Sequence, residues 1–400
     1  MKKIFWLFFA ALFAAAPGFT QELKFDGYVN SGLGLEYSTR EADKSSNDNV
    51  KLRVGGVDSE QIGGRFRLNG AYTNEEKTAG ANVRMQLQGS SNASPGGDNT
   101  FDFGLVYAYG WVKPIDLLTV KAGIVADSAF ETAGAILRDD AGGGAGAGVF
   151  VKLTPIAGLD IGAGAYPRSS DGSNNNNKIL DIGGNMKLTE VKYTFGAAYT
   201  MTSIFKVDAS FRSYNNAGVS SRQNARLVGE FQLLMVENLT AIAEVELDGL
   251  WNPDDKYDAF SKTGKFNLFE TVAYQINDFR FGLNAAQYFN NVKNSEIGLR
   301  FNPWVSYSFS EGKIVPRLDG VFFLHGDRST GGDAGKWDRR MDVAPTYVKE
   351  QFVFNVRPSL KFNFDSRTSL EIGDVLYYRK QASADGFINN IFYTDLTIKF

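Results

Sequence analysis

The sequence predicts an all-β chain closed into one antiparallel, membrane-spanning barrel of about 18 strands, and three observations carry that reading. The 400 residues include 43 glycines, 32 phenylalanines and 17 tyrosines but only 10 prolines, a balance that suits strands and tight turns. Hydrophobic residues make up 43% of the chain, yet the mean hydropathy is −0.22. Downstream of the first segment no run stays apolar for the about 20 residues that a membrane-spanning helix needs. Finally, the polar connections alternate in sequence between short and long.

The first segment reads as a secretory signal. Lys2 and Lys3 precede an apolar core from Ile4 to Ala16, and small residues follow at Ala16 and Gly18. Pro17 is a poor first mature residue, so residues 1–21 are expected to be removed by cleavage near 18–21. Residues 22–400 then form a single barrel domain. Loss of the two lysines takes the formal net charge from −3 to −5.

Each strand follows from period-2 alternation. In the first, Leu23, Phe25, Gly27, Val29, Ser31, Leu33, Leu35 and Tyr37 share one face, while Lys24, Asp26, Tyr28, Asn30 and Glu36 share the other. The same rule gives strands at 23–37, 50–73, 79–89, 101–113, 117–126, 144–154, 159–167, 178–201, 204–214, 223–236, 239–250, 265–276, 279–290, 296–309, 314–326, 350–364, 369–380 and 387–400. Segment 50–73 is interrupted by Gly55-Gly56 and by Asp58 to Glu60, and 178–201 changes parity near Thr189-Glu190. Each is a bulged strand or two strands, so counts of 16 and 20 stay open.

Short turns are expected at 73–78, Pro114-Ile115-Asp116, 155–158, Met201 to Ser203, Glu237-Asn238, Asn277-Asp278, Ser310 to Gly312 and Asp365 to Arg367. Long loops rich in Gly, Asn, Ser and Asp are expected at 38–49, 90–100, 127–143, 168–177, 215–222, 251–264 and 327–349. Shorter members of that class fall at 290–295 and 381–386. Short turns on one side and long loops on the other are the pattern of an outer-membrane barrel, and an even count puts both ends on the periplasmic side.

The chain ends with Phe392, Thr394, Leu396, Ile398 and Phe400 on one face. That ending resembles the C-terminal signal of bacterial outer-membrane proteins read by the barrel-assembly machinery. As a pattern, the mature chain resembles bacterial outer-membrane porins of the general-diffusion type, and the 109–118 hairpin is porin-like. Its texture is also similar, more distantly, to spirochaete outer-membrane proteins. The resemblance implies an outer-membrane location, contact with outer-membrane lipid, passage of small hydrophilic solutes, and leaves a homotrimer open.

Catalytic readings find little support. The one histidine, His325, sits at a loop end beside Asp327 with no nucleophile arrangement nearby. Asp254, Asp255 and Asp258 lack the glycine-pinned spacing of a calcium loop, and the Gly142 to Gly148 run does not lead from a strand into a helix. With no cysteine and balanced charge, the chain offers no thiolate site and no basic block for nucleic acid. No enzyme activity, metal or cofactor is expected.

If apolar positions face lipid, Lys51, Arg53, Arg65, Arg67 and Arg84 project into the lumen as a basic wall. Glu230, Glu244, Glu246 and Asp248 form an acidic wall. Glu270 and Asp374 fall on the lipid face, which places them near an interface or at a bulge. Gly104, Ala108, Gly110, Gly123, Gly144, Gly146, Gly148, Gly162 and Gly164 make the inner wall bare around loop 127–143. That loop is therefore expected to enter and narrow the pore, bringing Asp127, Glu131, Asp139 and Asp140 across from the basic wall. The leading functional expectation is a water-filled porin for passive diffusion of small hydrophilic solutes and ions. The alternatives are a surface adhesin or receptor with a closed lumen, or a transporter of hydrophobic substrates.

Phe400 closes the outward row of the terminal strand, so Phe400→Asp is expected to lower the yield of assembled barrel severalfold while export continues. Outer-membrane fractionation compared with the periplasmic pool checks this; wild-type yield in the membrane would refute it.

Overall fold

A computed structural model describes residues 22–40, 49–54, 65–90, 100–125, 147–167, 191–215, 223–248, 265–291, 296–327, 346–381 and 384–400. The expected signal segment lies outside these residues. Nineteen strand segments form one antiparallel sheet: β1 (Glu22–Ser38), β2 (Val50–Val54), β3 (Arg65–Thr73), β4 (Ala79–Ser90), β5 (Thr100–Ile115), β6 (Leu118–Ile124), β7 (Ala147–Ile156), β8 (Leu159–Pro167), β9 (Val191–Met201), β10 (Phe205–Asn215), β11 (Gln223–Leu233), β12 (Leu239–Asp248), β13 (Lys265–Ile276), β14 (Phe279–Asn291), β15 (Glu296–Tyr307), β16 (Ile314–Asp327), β17 (Thr346–Asn363), β18 (Thr368–Gln381) and β19 (Ala384–Lys399).

β2 and β3 both pair with β1, β2 against Leu33 to Tyr37 and β3 against Glu22 to Asn30. They are two parts of one stave, so the barrel has 18 staves, in agreement with the sequence reading of 50–73 as one interrupted strand. The expected strand 178–201 begins at Val191 among the described residues; 178–190 lie outside them. Other predicted ends agree to within a few residues.

Closure is made by β1 and β19, which pair from Tyr28↔Lys399 to Ser38↔Asn389. At the seam, Gly27 N donates to the Phe400 carbonyl at 3.0 Å and Phe400 N donates back to the Gly27 carbonyl at 3.1 Å. The Phe400 ring stacks on Phe66, with centroids 6.0 Å apart. Among the described residues no sheet edge remains, as a hydrocarbon surrounding demands.

The short turns fall where expected. Ser203, Asn238, Asn277, Ser310 and Glu311 take left-handed conformations there, which polar turn residues tolerate. Between β17 and β18, the Asp365 carboxylate accepts from the backbone N–H of Arg367 at 2.6 Å and of Thr368 at 2.7 Å. These bonds hold its carboxyl below the usual carboxylate range.

Alternation sorts the wall into two faces. Leu33, Leu35, Val149, Val151, Phe195, Phe281, Leu283, Phe392, Leu396 and Ile398 are exposed on the outside. Aromatic contacts gather at both ends of the strands. Phe279–Tyr307 at 4.6 Å and Tyr307–Phe309 at 4.4 Å lie near the short turns, and Phe266–Phe289 at 5.1 Å and Phe354–Tyr378 at 5.5 Å near the opposite rim. These are the two interfacial girdles of a transmembrane barrel.

Glycine is required at two seam positions, and a Cβ at Gly32 would run into the Thr394 carbonyl oxygen. A Cβ at Gly27 would run into the Arg67 carbonyl oxygen and the Phe400 ring, whereas nothing lies within 4 Å of a Cβ at Gly104. Gly27→Val is expected to cost about 1–3 kcal/mol by overpacking and to lower the urea midpoint of the barrel. Gly104→Ala should leave it unchanged; equal midpoints for the two variants would refute the role of Gly27.

Candidate permeation path

The inward face carries most of the wall's charged side chains, interspersed with buried apolar ones. Among the basic residues expected there, Arg65, Arg67 and Arg84 stand on adjacent staves and are partly buried. Arg67 donates through Nε and Nη2 to Gln86 Oε1, at 3.0 and 2.6 Å, and its guanidinium lies 5.5 Å from the Tyr28 ring centroid. Arg84 Nε donates to Asn69 Oδ1 at 2.6 Å and stacks on Tyr107 at 4.8 Å; the Asn69 amide in turn donates to Asp26. Arg65 Nη1 donates to the Tyr28 hydroxyl at 3.4 Å. Neutral amides and phenol rings thus hold these guanidiniums in place without cancelling their charge. Lys51 and Arg53 occupy register positions opposite Glu36 and Gly34 of β1; their side chains lie outside the described set.

A bulge in β5 determines which aromatics join this wall. Arg84 pairs with Tyr107 but Met85 pairs with Leu105, so Val106 is an extra residue. Past it the parity of β5 inverts, turning Tyr107, Tyr109 and Trp111 inward. This corrects the expectation for Ala108 and Gly110, which face outward opposite Val83 and Ala81. Gly104, before the bulge, keeps its inward position. Lys121 Nζ then sits 5.6 Å from the Tyr109 ring and 5.9 Å from Phe150. Gly123, Gly148, Gly162 and Gly164 share the inward registers of Tyr109 to Phe150 and Lys152, and fully buried Phe150 fills part of the space they leave.

The acidic residues are also brought together. Glu230 and Glu244 are directly opposite in register, and Asp208, which the sequence reading did not single out, is opposite Glu230 on the other side. All three are at most 3% exposed, and Lys206 Nζ approaches Asp208 at 3.9 Å. Glu246 accepts from Asn267 Nδ2 at 2.9 Å. Asp248 ends β12; its side chain lies outside the described set. The strands β5 to β9 separate this wall from the arginines on one side, and β13 to β19 with β1 separate them on the other. The two walls therefore face each other across the lumen.

Sequence reasoning missed a second basic group on the inward faces of β14 to β17. Arg317 is paired with Asp319 through bonds of 2.6 to 3.0 Å and lies 4.7 Å from the Trp304 ring, whose other neighbour is Arg280 at 5.4 Å. Arg300 and Arg357 are buried, over Phe323 at 5.0 Å and Tyr393 at 5.8 Å. The signal was present, because these positions share parity with the polar face of their strands.

Residues Asp127, Glu131, Asp139, Asp140, Gly144 and Gly146, together with Asp254, Asp255 and Asp258, lie outside the described residues. Among the described residues no group of three His, Asp or Glu side chains is placed to hold a metal ion. His325 Nδ1 accepts from the Glu350 backbone N–H at 3.0 Å, at the rim.

No known family model matches the chain, and neither does any curated protein sequence. Solved structures do. The outer membrane protein OpdK of Pseudomonas aeruginosa superposes with a TM-score of 0.55 at 12% identity, over 96% of this chain and 100% of that one. OccAB4 of Acinetobacter baumannii gives 0.53 at 10% identity, over 95% and 98%. OpdK solved with vanillate gives 0.54 at 10% identity, over 94% and 99%.

The fold is that of these bacterial outer-membrane barrel proteins. At this identity the likeness concerns the architecture, and the inner surface must be read from this chain's own residues.

Replacing Arg65, Arg67 and Arg84 together by Gln removes three inward charges that no carboxylate contacts directly. The ion preference of the channel is expected to shift towards cations, read as a change in reversal potential across a salt gradient. An unchanged potential would show that permeating ions do not pass this wall.

Proposed function

We propose that the chain is an outer-membrane porin, a water-filled channel for passive diffusion of small hydrophilic solutes and ions. The observation that carries this reading is the inner wall: 18 staves enclose a polar lumen, and on β3 to β8 its charged side chains remain partly exposed. On β3 to β6 the exposed inward charge is mainly basic, so an anionic or dipolar solute is oriented while it passes. Anionic solutes have the better path along β3 to β6, where the arginines keep their charge. OpdK was solved with vanillate, a small carboxylate, and a solute of that charge suits the basic wall of this chain.

A second reading, a surface receptor with a closed lumen, is favoured by one feature. Several inward side chains of β13 to β19, among them Phe269, Arg300, Val375 and Ile391, are at most 1% exposed. The open path is then confined to the half of the lumen near β3 to β8.

The segment 127–143 is proposed to narrow that path. In support, Gly123 adopts φ 127°, and Val125, just before the segment, is 2% exposed and packs with Phe150 and Ala198 on the inner wall.

Planar-bilayer recording tests both statements. Ohmic single-channel conductance is expected from the wild type, and shortening the segment by about ten residues should raise it severalfold. Absence of channels would favour the receptor; equal conductance in both forms would remove the segment from the constriction.

A further inference from the structure

We propose that two acid–amide patches on the outside of the barrel are contact sites through which copies of this chain associate side by side in the membrane. The first patch is Glu270 with Gln287, whose Nε2 donates to Glu270 Oε1 at 3.5 Å. The second is Asp374 with Asn390, whose Nδ2 donates to both carboxylate oxygens at 3.0 Å. Register places all four on the outward face. Glu270 lies between Ala243 and Ala285, and Asp374 lies opposite Phe392, which is 52% exposed.

The expectation that these acids mark an interface or a bulge is not met. Each is six residues from the periplasmic end of its strand, Ile276 and Thr368, with regular pairing around it. At a strand rise of about 3.3 Å and a tilt of about 40°, both stand roughly 15 Å up the wall, near the middle of an apolar band about 25 Å tall. Among the described residues they are the only acidic side chains facing outward at mid-wall.

Acyl chains offer a carboxylate no donor, and one amide leaves most of its acceptor sites unfilled. Each amide likewise keeps a second N–H and a carbonyl that its own acid does not engage. A patch holding both a donor and an acceptor complements the same patch on another copy. A second copy of this chain therefore supplies the missing partners, with the amide of one copy donating to the acid of the next. The alanines flanking Glu270 leave a recess in which the walls can approach.

The chain has no cysteine, so single introduced thiols report contacts without background. Ala243→Cys and Phe392→Cys, beside the two patches, are expected to give disulfide-linked dimers in intact outer membranes under mild oxidant. Val151→Cys, on the outward face of β7, is the control for random collision and should give at least fivefold less. Replacing Glu270, Gln287, Asp374 and Asn390 together by Leu should reduce linkage to the control level while heat-modifiable gel mobility shows the barrel still folded. Linkage no greater than the control, or linkage that survives the four leucines, overturns the proposal. If that variant fails to fold, Glu270→Gln with Asp374→Asn, which keeps donors and acceptors, must link as well as the parent; loss of linkage in that folded pair also overturns it.

Discussion

Hydrocarbon provides no partner for a peptide N–H or C=O, and this constraint governs the whole molecule. A sheet that crosses a membrane cannot keep an edge. The contact that removes the edge here is the antiparallel seam of β1 and β19, ending in the reciprocal bonds between Gly27 and Phe400. The side chain missing at Gly27 allows the Phe400 ring to reach Phe66 across the stave. The seam joins the earliest and latest described strands, so the closing contact has the longest loop-closure requirement in the fold.

Closure also fixes which side of each strand meets water. Because the side-chain period is two, a strand that pairs correctly has no freedom left in its faces. The inner charges are consequently organised by register. Asp208, Glu230 and Glu244 stand side by side because their three strands pair at those residues, and Asp319 meets Arg357 across β16 and β17 for the same reason. What distinguishes the two walls is the chemistry of the neighbours. Around Arg67 and Arg84 the contacts are amides and phenols, whereas Arg317 is joined to a buried carboxylate. An ion pair of that kind holds the side chain but cancels much of its field, so the first group contributes more to what a passing ion experiences.

Much of this was legible in the sequence. Alternation located the strands, turn residues separated them, and 18 staves were counted from those two signals. The inward placement of Arg65, Arg67, Arg84, Glu230, Glu244 and Glu246 followed from parity. What parity could not supply was contact. Nothing in the linear chain indicates that Asn69 links Arg84 to Asp26, since that depends on the pairing of β1, β3 and β4. The outward acids were visible as exceptions, but their amide partners lie on the following strand and were found only through the register. Arg300, Arg317 and Arg357 are marked by the same parity rule, but each strand contributes one arginine, so no basic cluster shows in the linear chain.

The bulge at Val106 shows how far one residue can carry. Had β5 kept its parity, Val106, Ala108 and Gly110 would line the lumen and Tyr107, Tyr109 and Trp111 would face lipid. Aromatics would be tolerated there, so membrane insertion alone does not require the extra residue. The inner wall does. With the bulge, Tyr107 comes over Arg84 and Tyr109 beside Lys121, giving two cations aromatic faces in place of open water. A cation held on a ring keeps its charge and loses some of its freedom. The insertion is thus better explained by what it does for the lumen than by what it does for the sheet.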